Sequence, residues 1–245
     1  MVFVVFYRYP ARMARAHGDN LATDASSRAT PEVFYPAFID LSGRRCLVVG
    51  GGPVGTEKTE KLLDAGADVR LVSPQVTPRL AALVASGAID EFHRRGYETA
   101  DLDGCLLVIA ATADADVNLG VWQDAEARTM LVNVVDVPPL CNFIVPSIMR
   151  HGELAVAVST GGASPVVART VRERIQAEIG PEWGELVTLM RQTRGELKER
   201  FTTMPARAAA VERLLESGVV ERLAAGDRAG ALALIDEHLG LEAPA

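Results

Sequence analysis

The segment that most constrains this chain is Gly50-Gly51-Gly52-Pro53-Val54-Gly55. It follows a short apolar run, Arg45 to Val49, and precedes a helical stretch over residues 56–65 that Gly66 closes. A G-x-G-x-x-G turn is a weak signal alone, but between a strand and a helix it fits a dinucleotide pyrophosphate. Gly50 allows the tight turn, Gly52 the close approach of backbone to phosphate, and Gly55 the packing of helix on strand. Pro53 and Val54 complete the loop at a helix N-terminus, whose free N–H groups favour an anion.

The pattern repeats downstream. Residues 68–72, 89–94, 105–110 and 130–135 read as strands, with helices at 76–86 and 114–128 between them. Strands alternating with helices predict right-handed crossovers and a parallel sheet. The expected architecture is α/β: a Rossmann-like domain over 31–146, a small strand-plus-helix dimerisation region over 147–180, and a helical C-terminal domain over 181–245. Helices are expected at 165–179, 181–203, 205–217 and 227–239. The strand at 153–159 finds no partner in the first sheet, so a second copy of the chain is expected to cover its edge. Residues 1–30 read as a disordered extension. Their apolar run, Val2 to Tyr7, precedes its basic residues and is too short for a signal peptide.

Composition narrows the function. With 25 basic and 32 acidic residues the net charge is −7, which argues against a general nucleic-acid binder. No apolar stretch is long enough to span a bilayer. Cys46, Cys105 and Cys141 are odd in number and widely spaced, which argues against a disulfide framework and for a reducing, cytoplasmic setting. The four histidines are scattered and form no ligand cluster, so no resident metal is expected.

The second strand ends in Val72-Ser73-Pro74, where such folds usually carry an acid for the ribose 2′-hydroxyl. Ser73 is the candidate ribose contact, with Arg70 and Arg79 nearby, and NAD is favoured over NADP. Thr112, after the fourth strand, and Asn118 are further cofactor candidates. Asp136, at the carboxyl end of the fifth strand, stands where open α/β sheets place ligand contacts and is the candidate base. Asn133 flanks the same crevice. Thr160, Gly161, Gly162 and Ser164 open a helix that carries Arg169, an arrangement suited to carboxylates.

Five ordered segments together resemble a known family. They are Tyr35 to Leu41; Val48 to Gly55 with Lys58; Ala110 to Asp114 with Asn118; Asn133 to Asp136 with Phe143 to Pro146; and Ser159 to Pro165 with Ala168-Arg169. The set is similar to the precorrin-2 dehydrogenase and sirohydrochlorin ferrochelatase family of siroheme biosynthesis, from about residue 35 to 179. The resemblance implies NAD-dependent oxidation of precorrin-2 to sirohydrochlorin, with Asp136 serving dehydrogenation and, in members that chelate, metal insertion. It implies a homodimer, and ferrous iron as a substrate in those members that insert it. Whether this chain inserts iron stays open. Some members also carry a methyltransferase domain, for which 245 residues leave no room, so methylation is expected elsewhere. The competing reading is an NAD(H)-sensing Rossmann module without catalysis, which gives no reason for Asp136 or the Thr160–Ser164 segment.

Overall fold

The computed structural model describes residues 34–240; the extension expected over residues 1–30 lies outside the described residues. The described residues form two compact units, one of residues 40–141 and one of residues 34–39 together with 142–240.

The first unit alternates as the apolar periodicity requires. Its strands are β1 (Arg45–Val49), β2 (Asp68–Val72), β3 (Glu91–His93), β4 (Leu107–Ala110) and β5 (Leu131–Val134). Three helices connect them: α1 (Pro53–Asp64), α2 (Pro78–Ala85) and α3 (Ala115–Ala127). The order is β3-β2-β1-β4-β5 and every pairing is parallel. This is the Rossmann arrangement, with the strand order reversing between β1 and β4. Leu47, Val108, Val132 and Val121 are fully buried in one core. Apolar strands covered on both faces are what a parallel sheet demands.

Two strand ends are shorter than the apolar runs suggest. Ile89 is buried but precedes β3, and Cys105 precedes β4. Arg70 lies inside β2 and is nearly buried. It donates to the carbonyl oxygens of Asp101 (2.6 Å) and Asp103 (3.1 Å) and pairs with Glu91 at 2.7 Å. Its charge is committed to the sheet edge and not to a cofactor. Arg79 pairs with Glu60 at 2.7 Å. Cys46, Cys105 and Cys141 form no disulfide among the described residues. Burial pushes the thiol of Cys46 up to about 12 and raises that of Cys105.

The second unit corrects the strand assignment. β6 (Ser147–His151), absent from the sequence reading, pairs antiparallel with β7 (Leu154–Val158) around Gly152. The strand expected to find no partner in the first sheet indeed takes no place there, and it is paired within its own unit by β6. The run Ser147-Ile148-Met149-Arg150-His151 holds two adjacent apolar residues with no polar–apolar alternation, so it does not stand out beside the apolar run of β7.

Helices α4 (Pro165–Glu178) and α5 (Pro181–Gln192) pack on this hairpin. A Cβ on Gly184 would collide with the His151 carbonyl, so the glycine is what lets α5 approach. The expected helix over 181–203 is broken. It ends at Thr193, whose hydroxyl donates to the Leu189 carbonyl, and α6 (Arg194–Arg200) follows. α7 (Met204–Glu216), α8 (Val219–Ala224) and α9 (Arg228–Leu239) complete the unit. α8 was not anticipated; left-handed Gly218 (φ 86°) separates it from α7. Leu189, Leu214, Val219, Ile235 and Leu239 form the core of this bundle.

No helix among the described residues is long and apolar enough to cross a membrane, and no cluster of metal-ligating side chains occurs among them.

Candidate active site

The glycine-rich turn shapes one end of a cleft of about 810 Å³ at the carboxyl ends of the strands. Its glycines have different reasons to be glycine. Gly50 has φ 118°, and a Cβ there would strike the Ala111 carbonyl. A Cβ on Gly55 would strike the Gly50 carbonyl, and one on Gly51 the Gln75 carbonyl. These three are required by packing. Gly52 is not: its backbone is extended, at φ −75° and ψ −174°, and a Cβ would meet nothing within 4 Å. The space above Gly52 is open cleft.

Gly52 is also the N-cap of α1, where no side chain caps the helix. The first turn therefore presents uncapped N–H groups and the positive end of the helix dipole beside an open glycine. The residues fit a pyrophosphate. Gly55→Ala and Gly52→Ala should accordingly behave differently. The first forces Cβ onto a carbonyl and is expected to cost about 1–3 kcal/mol, as overpacking does. The second meets no steric obstacle and should lose only the smaller N-cap preference of glycine over alanine, so its thermal midpoint should fall less than that of the first. Thermal unfolding of the two variants checks the contrast.

Of the eight candidate cofactor residues, Gly50, Gly52, Pro53, Val54, Ser73 and Thr112 line the cleft; Gly55 and Asn118 do not. Ser73 closes its own loop, its hydroxyl donating to the Gln75 carbonyl at 2.6 Å. That leaves the hydroxyl oxygen as an acceptor. Asn118 is nearly buried. Its Oδ1 accepts from the Thr112 hydroxyl at 2.8 Å and its Nδ2 donates to the Thr112 carbonyl at 3.0 Å. Asn118 braces the β4–α3 loop and so sets where Thr112 sits. Thr77 ties the β2–α2 loop to the glycine turn. Its N–H donates to the Gly51 carbonyl (2.9 Å), and its hydroxyl lies 2.8 Å from that of Thr56.

The sequence reading missed the β3 side of the cleft. Arg95, Gly96 and Tyr97 line it, with Thr77 and Asp114. Arg95 makes a two-pronged ion pair with Asp101: Nη1 to Oδ2 at 2.8 Å and Nη2 to Oδ1 at 2.7 Å. Burial alone would raise the Asp101 carboxyl. The Arg95 fork and the Glu98 N–H (2.8 Å) outweigh it and hold the group below the usual carboxylate range. The Tyr97 hydroxyl donates to Asp124 at 2.9 Å; burial, then this bond, raises its pKa. The available signal was position: Arg95-Gly96 follows the third strand at the ligand-bearing end of the sheet.

Asp136 is exposed in the turn after β5 and adopts φ 61°. Left-handed backbone is uncommon outside glycine, and Asp and Asn tolerate it best. The turn is fixed on both sides. Val135 N–H donates to the Ala110 carbonyl (2.9 Å) and Val137 N–H to the Val134 carbonyl (3.1 Å). Asp136 does not line the cleft; it stands beyond β4 and β5, on the opposite side of the switch point from Ser73. Asn133 in β5 directs its Nδ2 toward the Cys141 sulfur at 3.6 Å.

In the second unit the loop before α4 is closed on itself. The Thr160 hydroxyl accepts from the Ser164 N–H (3.1 Å) and lies 3.1 Å from the Ser164 carbonyl. The Ser164 hydroxyl caps α4 through the Val167 N–H at 3.3 Å. The hydroxyls expected to meet an anion are thus engaged in the loop. Gly161 and Gly162 turn it at φ 63° and 88°. Arg169 is largely exposed and faces Glu173 at 3.9 Å.

Fold and cleft together define a Rossmann-type dinucleotide-binding protein. Three family models match the chain in succession: NAD(P)-binding over residues 37–147, sirohaem biosynthesis protein central over 151–178, and sirohaem synthase dimerisation region over 182–239. The chain belongs to the precorrin-2 dehydrogenase and sirohydrochlorin ferrochelatase family of siroheme biosynthesis, the family its motifs resemble. The siroheme synthase of Thioalkalivibrio sulfidiphilus is 45% identical over 206 residues, covering 84% of this chain and 42% of that protein. That of Stutzerimonas stutzeri is 42% identical over 211 residues, covering 86% and 45%. The chain thus spans less than half the length of these curated relatives. Among solved structures, one titled "SirC, precorrin-2 dehydrogenase" matches with a TM-score of 0.67 at 22% identity, over 84% of this chain and 98% of that one. The agreement is one of fold.

Proposed function

We propose that the chain catalyses NAD-dependent dehydrogenation of precorrin-2 to sirohydrochlorin, as a cytoplasmic homodimer. The observation that carries this reading is the ordered succession of the three matched regions between residues 37 and 239. It favours an enzyme of this pathway over an NAD(H) sensor, because two of the three belong to siroheme biosynthesis.

The chemistry divides among the residues. The Gly50–Val54 turn and the N-terminus of α1 hold the pyrophosphate, Ser73 lies on the ribose side, and Thr112 is set by Asn118. What NAD supplies when bound is acceptance of the hydride. The proton that leaves with it goes to a carboxylate, and Asp136 takes that role at the carboxyl end of β5. Arg169, with the Asn133 and Thr160–Ser164 segments, is assigned to the carboxylates of the macrocycle. The α4 loop contributes backbone shape here, since its hydroxyls are already bonded.

The direct test mixes the pure protein with NAD and enzymatically made precorrin-2. A sirohydrochlorin spectrum that grows only with NAD supports the reading; an unchanged macrocycle overturns it. The same assay with ferrous iron added reads chelation as a second reaction.

The dimer rests on the dimerisation region at 182–239 and on exposed apolar side chains of the hairpin unit, among them Ile148, Val166, Val167 and Val171. Such a group in a monomer would be an aggregation liability. Light scattering should return twice the 26.2 kDa chain mass at micromolar concentration. A stable monomer would contradict the assignment.

A further inference from the structure

We infer that the Arg95–Asp101 ion pair makes this cleft select a dinucleotide with a free ribose 2′-hydroxyl and reject one carrying a 2′-phosphate. The inference rests on the cofactor reading above and adds the residues that set its selectivity. β2 is followed by Ser73, and its carboxyl end bears no acid to exclude the phosphate, so exclusion must come from elsewhere. β3 is the neighbouring strand at the same end. Ser73 N–H donates to the His93 carbonyl at 3.1 Å, and Arg95 follows two residues later on the cleft wall.

Arg95 is the basic side chain among the residues that line the cleft. An arginine near the β2 end is the usual way to accommodate a 2′-phosphate, through the donors of its guanidinium plane. Here both terminal nitrogens are spent on Asp101, which is 3% exposed and is itself pinned by the Glu98 N–H. One terminal nitrogen also meets the Gly96 carbonyl at 2.9 Å, and the Glu98 carboxylate lies 3.5 Å from Nε. A 2′-phosphate would find an arginine already neutralised, with two carboxylates beside it. Of the other arginines near these strand ends, Arg70 is engaged by Glu91 and Arg79 by Glu60, while Arg94 does not line the cleft and lies 5.4 Å from the centre of the Phe92 ring.

The pair therefore acts as a lock. Asp101→Asn keeps an acceptor of the same shape but removes the charge that neutralises Arg95. Calorimetric titration of the full chain with NAD and with NADP reads the outcome. The parent should bind NAD at least about tenfold tighter than NADP. In Asp101→Asn the NADP affinity should rise roughly tenfold or more, the worth of one charge-assisted bond, while NAD affinity moves by less than about threefold. Adding Arg95→Met to that variant should erase the gain. Because Asp101 is buried, a second variant guards against a folding defect: Glu98→Gln, at an exposed carboxylate beside the same arginine, decides if Asp101→Asn fails to fold. It should raise NADP affinity about two- to threefold through the lost like charge. A parent that binds both dinucleotides equally, or variants that leave the ratio unchanged, overturn the lock. A folded parent that binds neither overturns the cofactor reading instead.

Discussion

Gly52→Asp is expected to abolish dinucleotide binding while leaving the protein at least as stable as the parent. The two effects have opposite signs because Gly52 sits at two boundaries at once. As N-cap of α1 it contributes no side chain, and Asp is among the preferred N-cap residues. Its backbone is already extended and its Cβ position is open, so the new side chain meets no steric obstacle. The carboxylate would satisfy a free N–H of the first turn, which is the group a pyrophosphate needs. It would also place a negative charge against the phosphates. At about 4 Å and an effective dielectric near 20, one such repulsion costs about 4 kcal/mol, roughly a thousandfold in affinity. Calorimetry should find no NAD binding, and the thermal midpoint should be equal or higher. Unchanged affinity would remove the glycine turn from the cofactor site. A lowered midpoint would mean that Gly52 is a packing glycine like Gly55.

How far the sequence reached follows from the range of each signal. The Rossmann unit was legible because its evidence is local: apolar β-branched runs, helices at regular spacing, and glycines at fixed offsets. Even so, the sequence could not separate the roles of those glycines. Gly50, Gly51 and Gly55 are held by the carbonyls of Ala111, Gln75 and Gly50, and one of these contacts spans sixty residues of chain. The hairpin was half legible. β7 is an apolar run, whereas β6 has only two adjacent apolar residues in five and becomes a strand by pairing. The break at Thr193 was hidden because Leu, Glu, Arg and Lys run on either side of it, and the nearby Gly195 falls inside α6 and not at the break, which is marked by a threonine bonding back to Leu189. Asn118 and Thr112 were both picked out, but their hydrogen bonds to each other decide which faces the cleft. Arg95 escaped because its partner Asp101 lies in a short 3₁₀ turn, Thr99–Leu102, with no periodicity to read.

Asp136→Asn should leave the fold and NAD binding intact and lower turnover by about 10²- to 10⁴-fold, the usual worth of a positioned acid–base group. The backbone makes this substitution unusually clean. At φ 61° the residue must tolerate left-handed geometry, which Asn does as readily as Asp. Asp136→Ala would add a backbone strain of about 1–2 kcal/mol and confuse a folding defect with a catalytic one. Because Asp136 stands outside the glycine-lined cleft, NAD affinity is an internal control. A loss of affinity would mean that the β5 turn had moved. Precorrin-2 binding should also persist, since the residues assigned to its carboxylates are untouched. The expected signature is therefore a fall in kcat at nearly constant KM, read from the macrocycle spectrum under saturating NAD. Parent-like turnover in the Asn variant would make Asp136 a turn residue only, kept for its tolerance of positive φ. If the parent also inserts ferrous iron, the same variant tests whether one carboxylate serves both reactions. Loss of oxidation with chelation retained would separate the two sites and leave Asp136 as the base of the first.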